Sequence, residues 1–253
     1  MEVLLLNKSL YMLHIKNIKK SIKEKVIIDD ISFCIKRGKI FGLLGPNGAG
    51  KTSTFYIIAG LTYQDSGEIF LSNENISNAK MHQRSKLGIK YLPQEPSIFQ
   101  NLTVYENLLG LAEITFNSKE KIKNVIQSSI KDFDLSNILD LKGRQLSGGQ
   151  RRKVEIARTL VSMPKFILLD EPFAGIDPIA IEEIKSVLIT LAKKDIGVLI
   201  TDHNVRDALE ICSEAIVINE GKVIANGTKS ELVNNKLVQK VYIGDMYKNH
   251  NDN

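Results

Sequence analysis

Residues 45–52 read GPNGAGKT and follow a short apolar run, KIFGLL, at 39–44. A G-x-x-x-x-G-K-[ST] string placed there constrains the fold more than any other stretch. Its glycines let consecutive backbone N–H groups turn inward around an anion with no Cβ in the way. Residues 51–59 read as a helix, whose N-terminal partial charge faces the same anion. The expected order is strand, phosphate loop, helix. In that order Lys51 reaches the β and γ phosphates of a nucleotide, and the Thr52 hydroxyl ligates Mg2+. The contacting stretch is Gly45, Pro46, Asn47, Gly48, Ala49, Gly50, Lys51, Thr52 and Ser53.

The rest of the chain supplies the frame for such a loop. Residues 13–17, 26–28 and 31–35 read as short strands of an antiparallel β lead-in, and 68–71 and 88–92 as further strands. From 102 to 163 the apolar spacing is helical, as in Val104, Leu108, Leu109 and Leu111, then Ile122, Val125, Ile126 and Ile130. Residues 166–169 and 198–201 are apolar runs of parallel-strand type, with a helix expected over 179–193 between them. Glu220-Gly221 separates two runs, 215–219 and 222–226, as a hairpin turn would. The predicted class is α/β: a phosphate-loop core with an antiparallel β subdomain and an inserted helical subdomain at 102–163. The single domain is expected over 13–245, with an extension at 1–12, where Met12 is a candidate initiator, and a polar tail at 246–253.

Composition removes several classes. With 253 residues, 43% hydrophobic and 25% charged, the chain suits one large domain. A net charge of +5 is too mild for a nucleic-acid footprint, and the early lysines, Lys16, Lys19, Lys20, Lys23 and Lys25, read as a solvated face, with an anionic membrane surface or partner nearby as the alternative. Cys34 and Cys212 lack metal or disulfide spacing and are expected to be small buried thiols in a reducing compartment. No apolar run approaches the ~20 residues of a membrane helix. The start, MEVLLLNKSLYML, has too short an apolar stretch and no basic lead for a signal peptide. A cytosolic protein is expected, with any membrane role supplied by partners.

Two further strings carry chemistry. Residues 166–171 read FILLDE, an apolar strand ending in two carboxylates. Asp170 suits outer coordination of Mg2+ near Thr52. Glu171, one residue on, points elsewhere and suits polarising the attacking water as general base. Residues 146–150 read LSGGQ, ahead of a helical segment expected from Arg151. That places Ser147 and two flexible N–H donors at a helix N-terminus, a second anion site.

With YLPQ at 91–94, GIDP at 175–178 and ITDH at 200–203, six elements stand in one order, and over about 13–245 the chain resembles ATP-binding cassette (ABC) ATPases. The resemblance implies a dimer of two cassettes packed head to tail. ATP then lies between the phosphate loop of one copy and Ser147, Gly148, Gly149 and Gln150 of the other. It implies that Gln94 senses Mg2+ and water, that His203 contacts the γ-phosphate and that Asp177 lies at the dimer seam. Many relatives stack the adenine on an aromatic residue where this chain has Ile22. The stretches at 91–108 and 196–209 are similar to the lipopolysaccharide-export branch of the family. That likeness implies a homodimer, peripheral on the cytoplasmic face of the inner membrane, under a pair of integral-membrane permease subunits. Phe99 matches the aromatic residue lining the groove for the permease's coupling helix; a core phenylalanine is the alternative. A branched-chain amino-acid-type importer ATPase remains a rival, and a non-transport ABC ATPase a more distant one.

Overall fold

The computed structural model describes residues 11–243. It opens with β1 (Met12–Ile22) and β2 (Lys25–Lys36), paired antiparallel. The three short strands expected here are therefore two long ones. Asn17 and Asp30 take left-handed backbone, φ 48 and 68, and join through a 2.7 Å side-chain hydrogen bond. The polar residues that resemble strand breaks are bulges within one ladder, where the register shifts. β4 (Ser66–Leu71) and β5 (Glu74–Asn75) complete a four-stranded antiparallel sheet in the order β2-β1-β4-β5.

The second sheet carries the phosphate loop. β3 (Ile40–Leu44) is buried at every position and leads through residues 45–50 into α1 (Lys51–Ala59). Next come α2 (Met81–Leu87), β6 (Ile89–Leu92), α3 (Val104–Thr115), α4 (Lys119–Asp132) and α5 (Gly148–Val161). They are followed by β7 (Phe166–Leu169), α6 (Pro178–Lys193), β8 (Gly197–Ile200) and α7 (Val205–Ile211). β9 (Glu214–Asn219) and β10 (Lys222–Gly227) form the expected hairpin, with positive φ at Glu220 and Gly221. α8 (Lys229–Val233) and a last helical stretch, Lys236–Val238 continuing through Gln239–Ile243, end the described chain. The sheet order is β10-β9-β3-β8-β7-β6, parallel except for β10.

Alternation along the strands builds a core on each face of this sheet. Ile40, Leu44, Ile167, Leu169, Val198 and Ile200 face the helices from α3 to α7. Phe41, Leu43, Phe166, Leu168 and Leu199 face α1 and the antiparallel sheet. The strand ends that carry chemistry therefore emerge from a backbone packed on both sides.

A buried arginine fixes the end of α1, and a surface capping box fixes the start of α3. Arg84 is 0% exposed and donates to the carbonyls of Ile57 and Ile58 at 2.6 and 2.8 Å, and to those of Ser77 and Ala79. Its charge thus satisfies the carbonyl end of α1, and burial lowers its pKa to about 10. Thr103 and Glu106 form a capping box, which starts α3 at Val104. Cys34 and Cys212 are free and half-buried as residues, and burial of the sulfur raises the pKa of both thiols, with Cys34 Sγ 3.8 Å from His14 Nε2 across the β1–β2 ladder. Among the described residues no helix is long and apolar enough to cross a membrane. The extension lies outside the described residues except for Tyr11 and Met12, and the tail at 246–253 lies wholly outside them.

Candidate nucleotide site

Glycine is required where the phosphate loop meets other backbone. A Cβ on Gly45, φ +150, would stand 2.1 Å from the Ile218 carbonyl oxygen. One on Gly50, φ +105, would stand 2.8 Å from that of Ile27. The loop is thus seated between β9 and β2, and α1 begins directly after Gly50 with its unpaired N–H groups at the loop. Asn47 and Gly48 are exposed at the loop's tip, and Pro46 and Ser53 are half-buried. Lys51 is buried, its Nζ donating to the Gly45 and Pro46 carbonyls at 2.7 and 3.0 Å. Burial lowers its pKa, against the pull of the Glu171, Asp170 and Asp202 carboxylates. Thr52 is exposed on the first turn.

The two acids after β7 face different partners. Asp170 is buried and accepts the Thr201 hydroxyl at 2.8 Å and that of Tyr91 at 3.5 Å. Burial raises its pKa, opposed by the Thr201 hydrogen bond. Glu171 takes left-handed backbone, φ 46, at a cost of about 1 kcal/mol. That turn sends its side chain away from Asp170. Its Oε2 accepts Gln94 Nε2 at 3.0 Å and lies 3.5 Å from His203 Nδ1. Gln94 comes from the loop after β6 and His203 from the loop after β8. The structure therefore brings together three residues that lie far apart in sequence. The His203 loop is pinned by Asp202, fully buried, whose carboxylate accepts the Asn204 and Phe173 N–H groups at 2.8 and 3.2 Å. The Asp202 carbonyl accepts the Tyr242 hydroxyl at 3.1 Å; burial pushes that phenol up to about 12.

Ser147 caps α5. Its Oγ accepts the Gln150 N–H at 3.2 Å, and Gln150 Oε1 accepts the Ser147 N–H at 3.0 Å. This capping box pulls Gly148, Gly149 and Gln150 into the first helical turn, so the helix starts at Gly148 and not at Arg151. A Cβ on Gly149 would stand 2.4 Å from Ala180 Cβ, so α5 meets α6 at its first turn. Asp177 caps α6, accepting the Ala180 N–H at 3.0 Å. Both helix starts thus lie side by side. Gly148 shares an open cavity of about 540 Å³ with Gln94, Arg151, Glu171 and Gly175, and no residue of the phosphate loop lines it.

Phe99 is 61% exposed, which excludes the core alternative. It lines an apolar groove of about 560 Å³ with Leu61, Met81, Leu111 and Ile114. The segment beneath it is held from three sides. Glu155 accepts the Ser97 and Ile98 N–H groups, Arg158 donates to Ser97 O, and Asn107 Oδ1 accepts the Phe99 N–H. Arg152 pairs with Glu155 at 3.3 Å and donates to the Pro93 and Asp170 carbonyls. Ile22 is 55% exposed at the end of β1. Arg152 and Glu155 do not stand out in the sequence, and Thr201 and Asp202 stand out only as members of the ITDH string, which assigns neither a role.

A family model for ABC transporters matches residues 28–174. The chain is 48% identical over 234 residues to a lipopolysaccharide export system ATP-binding protein, LptB, of Haemophilus influenzae, covering 92% of this chain and 97% of that one. To the LptB of Escherichia coli K12 it is 44% identical over the same shares. Among solved structures, an ATP-binding cassette of an ABC transporter in its ADP conformation superposes with a TM-score of 0.84, at 29% identity over 92% of this chain and 99% of that one. A dimeric bacterial ABC transporter cassette gives a TM-score of 0.75 at 25% identity, over 86% and 98%. Fold, ordered motifs and likeness agree: the chain belongs to the ABC transporter family, as one of its nucleotide-binding ATPase cassettes.

Proposed function

We propose that this chain is the ATP-hydrolysing subunit of a lipopolysaccharide exporter, working as a homodimer beneath a pair of membrane permease subunits on the cytoplasmic face of the inner membrane. The observation that carries the transport reading is 44–48% identity to lipopolysaccharide export ATPases along 92% of the chain. The convergence of Gln94 and His203 on one oxygen of Glu171 supports the hydrolytic reading.

In this reading the loop's N–H groups and Lys51 bind the β and γ phosphates. Glu171 polarises a water for in-line attack and takes its proton, while Gln94 and His203 orient the carboxylate and the γ-phosphate. The Thr52 hydroxyl, the Asp170 carboxylate and the Gln94 amide oxygen are hard oxygens of the kind that fit Mg2+. When bound, Mg2+ neutralises charge on the β and γ oxygens. Ser147, Gly148, Gly149 and Gln150 complete the site from the second copy, with Asp177 at the seam. Phe99 takes the permease's coupling helix. Affinity purification from the native membrane tests the transport reading: a permease pair should copurify, and lipopolysaccharide should change its ATP turnover. Copurification of importer permeases with a periplasmic binding protein would contradict it.

A further inference from the structure

We infer that Thr201 is a positioning residue for hydrolysis, its one hydroxyl setting both consecutive acids at the end of β7. This rests on the proposed roles of Asp170 and Glu171. Thr201 is 0% exposed and follows β8, which pairs in parallel with β7. Its backbone N–H donates to Leu169 O at 3.1 Å, so its place beside the acids is fixed by the sheet.

The direction of each hydrogen bond is forced. The Glu171 N–H can only donate, so Thr201 Oγ1 accepts it at 3.2 Å. The hydroxyl's single hydrogen then goes to Asp170 Oδ1 at 2.8 Å. The other Asp170 oxygen meets Tyr91 only at 3.5 Å, so Thr201 is the tighter tether of that carboxylate. The Glu171 bond acts on a residue in left-handed backbone. It holds the peptide in the orientation that delivers Oε2 to Gln94 and His203. The Asp170 backbone is held independently, by Leu92 O and Arg152, so loss of the hydroxyl frees the side chain and the Glu171 peptide and leaves the strand in place. A valine would fill the same space and make neither bond.

The test compares Thr201→Val with Thr201→Ser in the full-length chain, each assayed below its melting temperature. Displaced acids should lower kcat about tenfold or more in Thr201→Val, while KM for ATP moves less than about threefold. Thr201→Ser should recover kcat to within about threefold of the parent. Mg2+ should lose most of its effect on the binding of trinitrophenyl-ATP in Thr201→Val alone. A Thr201→Val kcat within about twofold of the parent, a serine variant as slow as the valine one, or an unchanged Mg2+ effect would overturn the inference. Glu171→Gln and Asp170→Asn serve as controls. If they leave turnover intact, the underlying roles fall; if they abolish it while Thr201→Val does not, only the inference falls.

Discussion

At the scale of single residues, the two acids after β7 show how a charge reaches a site from inside a sheet. Asp170 stays in the sheet's plane of contacts, while a left-handed turn at Glu171 sends the next side chain to Gln94 and His203. Glu171→Gln should lower ATP turnover at least about a hundredfold while nucleotide binding survives, checked by steady-state phosphate release against equilibrium binding. We propose that Ile22 covers the base, at the position the family resemblance gives it. Lacking an aromatic face, the site gives up stacking worth roughly 1–3 kcal/mol elsewhere, so ATP and GTP should turn over at similar rates. A strong ATP preference that survives Ile22→Ala would contradict this. The acids and the loop are legible in the sequence because each ends an apolar run, and His203, two residues past such a run, is legible through the family resemblance. Thr201, Arg152 and Glu155 gain no role from the sequence, because what they hold lies far away in it: Asp170 and Glu171 for Thr201, the Pro93 and Asp170 carbonyls for Arg152, and the Ser97 and Ile98 N–H groups for Glu155. The bulges at Asn17 and Asp30 are also hidden, since polar residues in a strand look like its end until the cross-strand pair is seen.

At the scale of elements, buried cations fasten helices to the site. Arg84 holds the carbonyl end of α1, the helix that presents Lys51 and Thr52. Arg84→Leu would leave those carbonyls unpaired and should destabilise the chain by about 3 kcal/mol in chemical denaturation. Lys185 ties α6 to α7. It is buried, with Glu182, Asp207 and Glu210 at 2.7, 2.6 and 2.6 Å. Burial opposes its charge, but the bonds to Asp207, Glu182 and Glu210 outweigh that and raise its pKa, while Lys185 lowers the pKa of Glu210. The raised lysine contributes stability that is lost as pH climbs through its folded value. The depressed Glu210 contributes stability that is lost as pH falls through its own. Lys185→Met should therefore cost about 2 kcal/mol between those limits and less outside them, with solvent around the exposed acids holding the figure down. A flat difference across pH would contradict the cluster. On the α3–α5 side, Phe99→Ala should leave folding and the isolated chain's hydrolysis intact while weakening capture of the permease pair. Unfolding of that variant would remove Phe99 from the groove's lip.

At the scale of the molecule, GPNGAGKT and LSGGQ stand on different elements, the first at the start of α1 and the second at the start of α5. The loop sits between β9 and β2, and Gly148 opens on a cavity that no phosphate-loop residue lines. We propose that nucleotide joins two copies, the phosphate loop of one meeting residues 147–150 of the other. The most direct test is the solution mass of the Glu171→Gln chain by light scattering, with and without Mg-ATP. One chain is expected without nucleotide, two with it, and one again when Gly148→Asp is added. A mass that stays at one chain in saturating Mg-ATP, with the parent chain still hydrolysing ATP at the same dilution, would contradict the proposal.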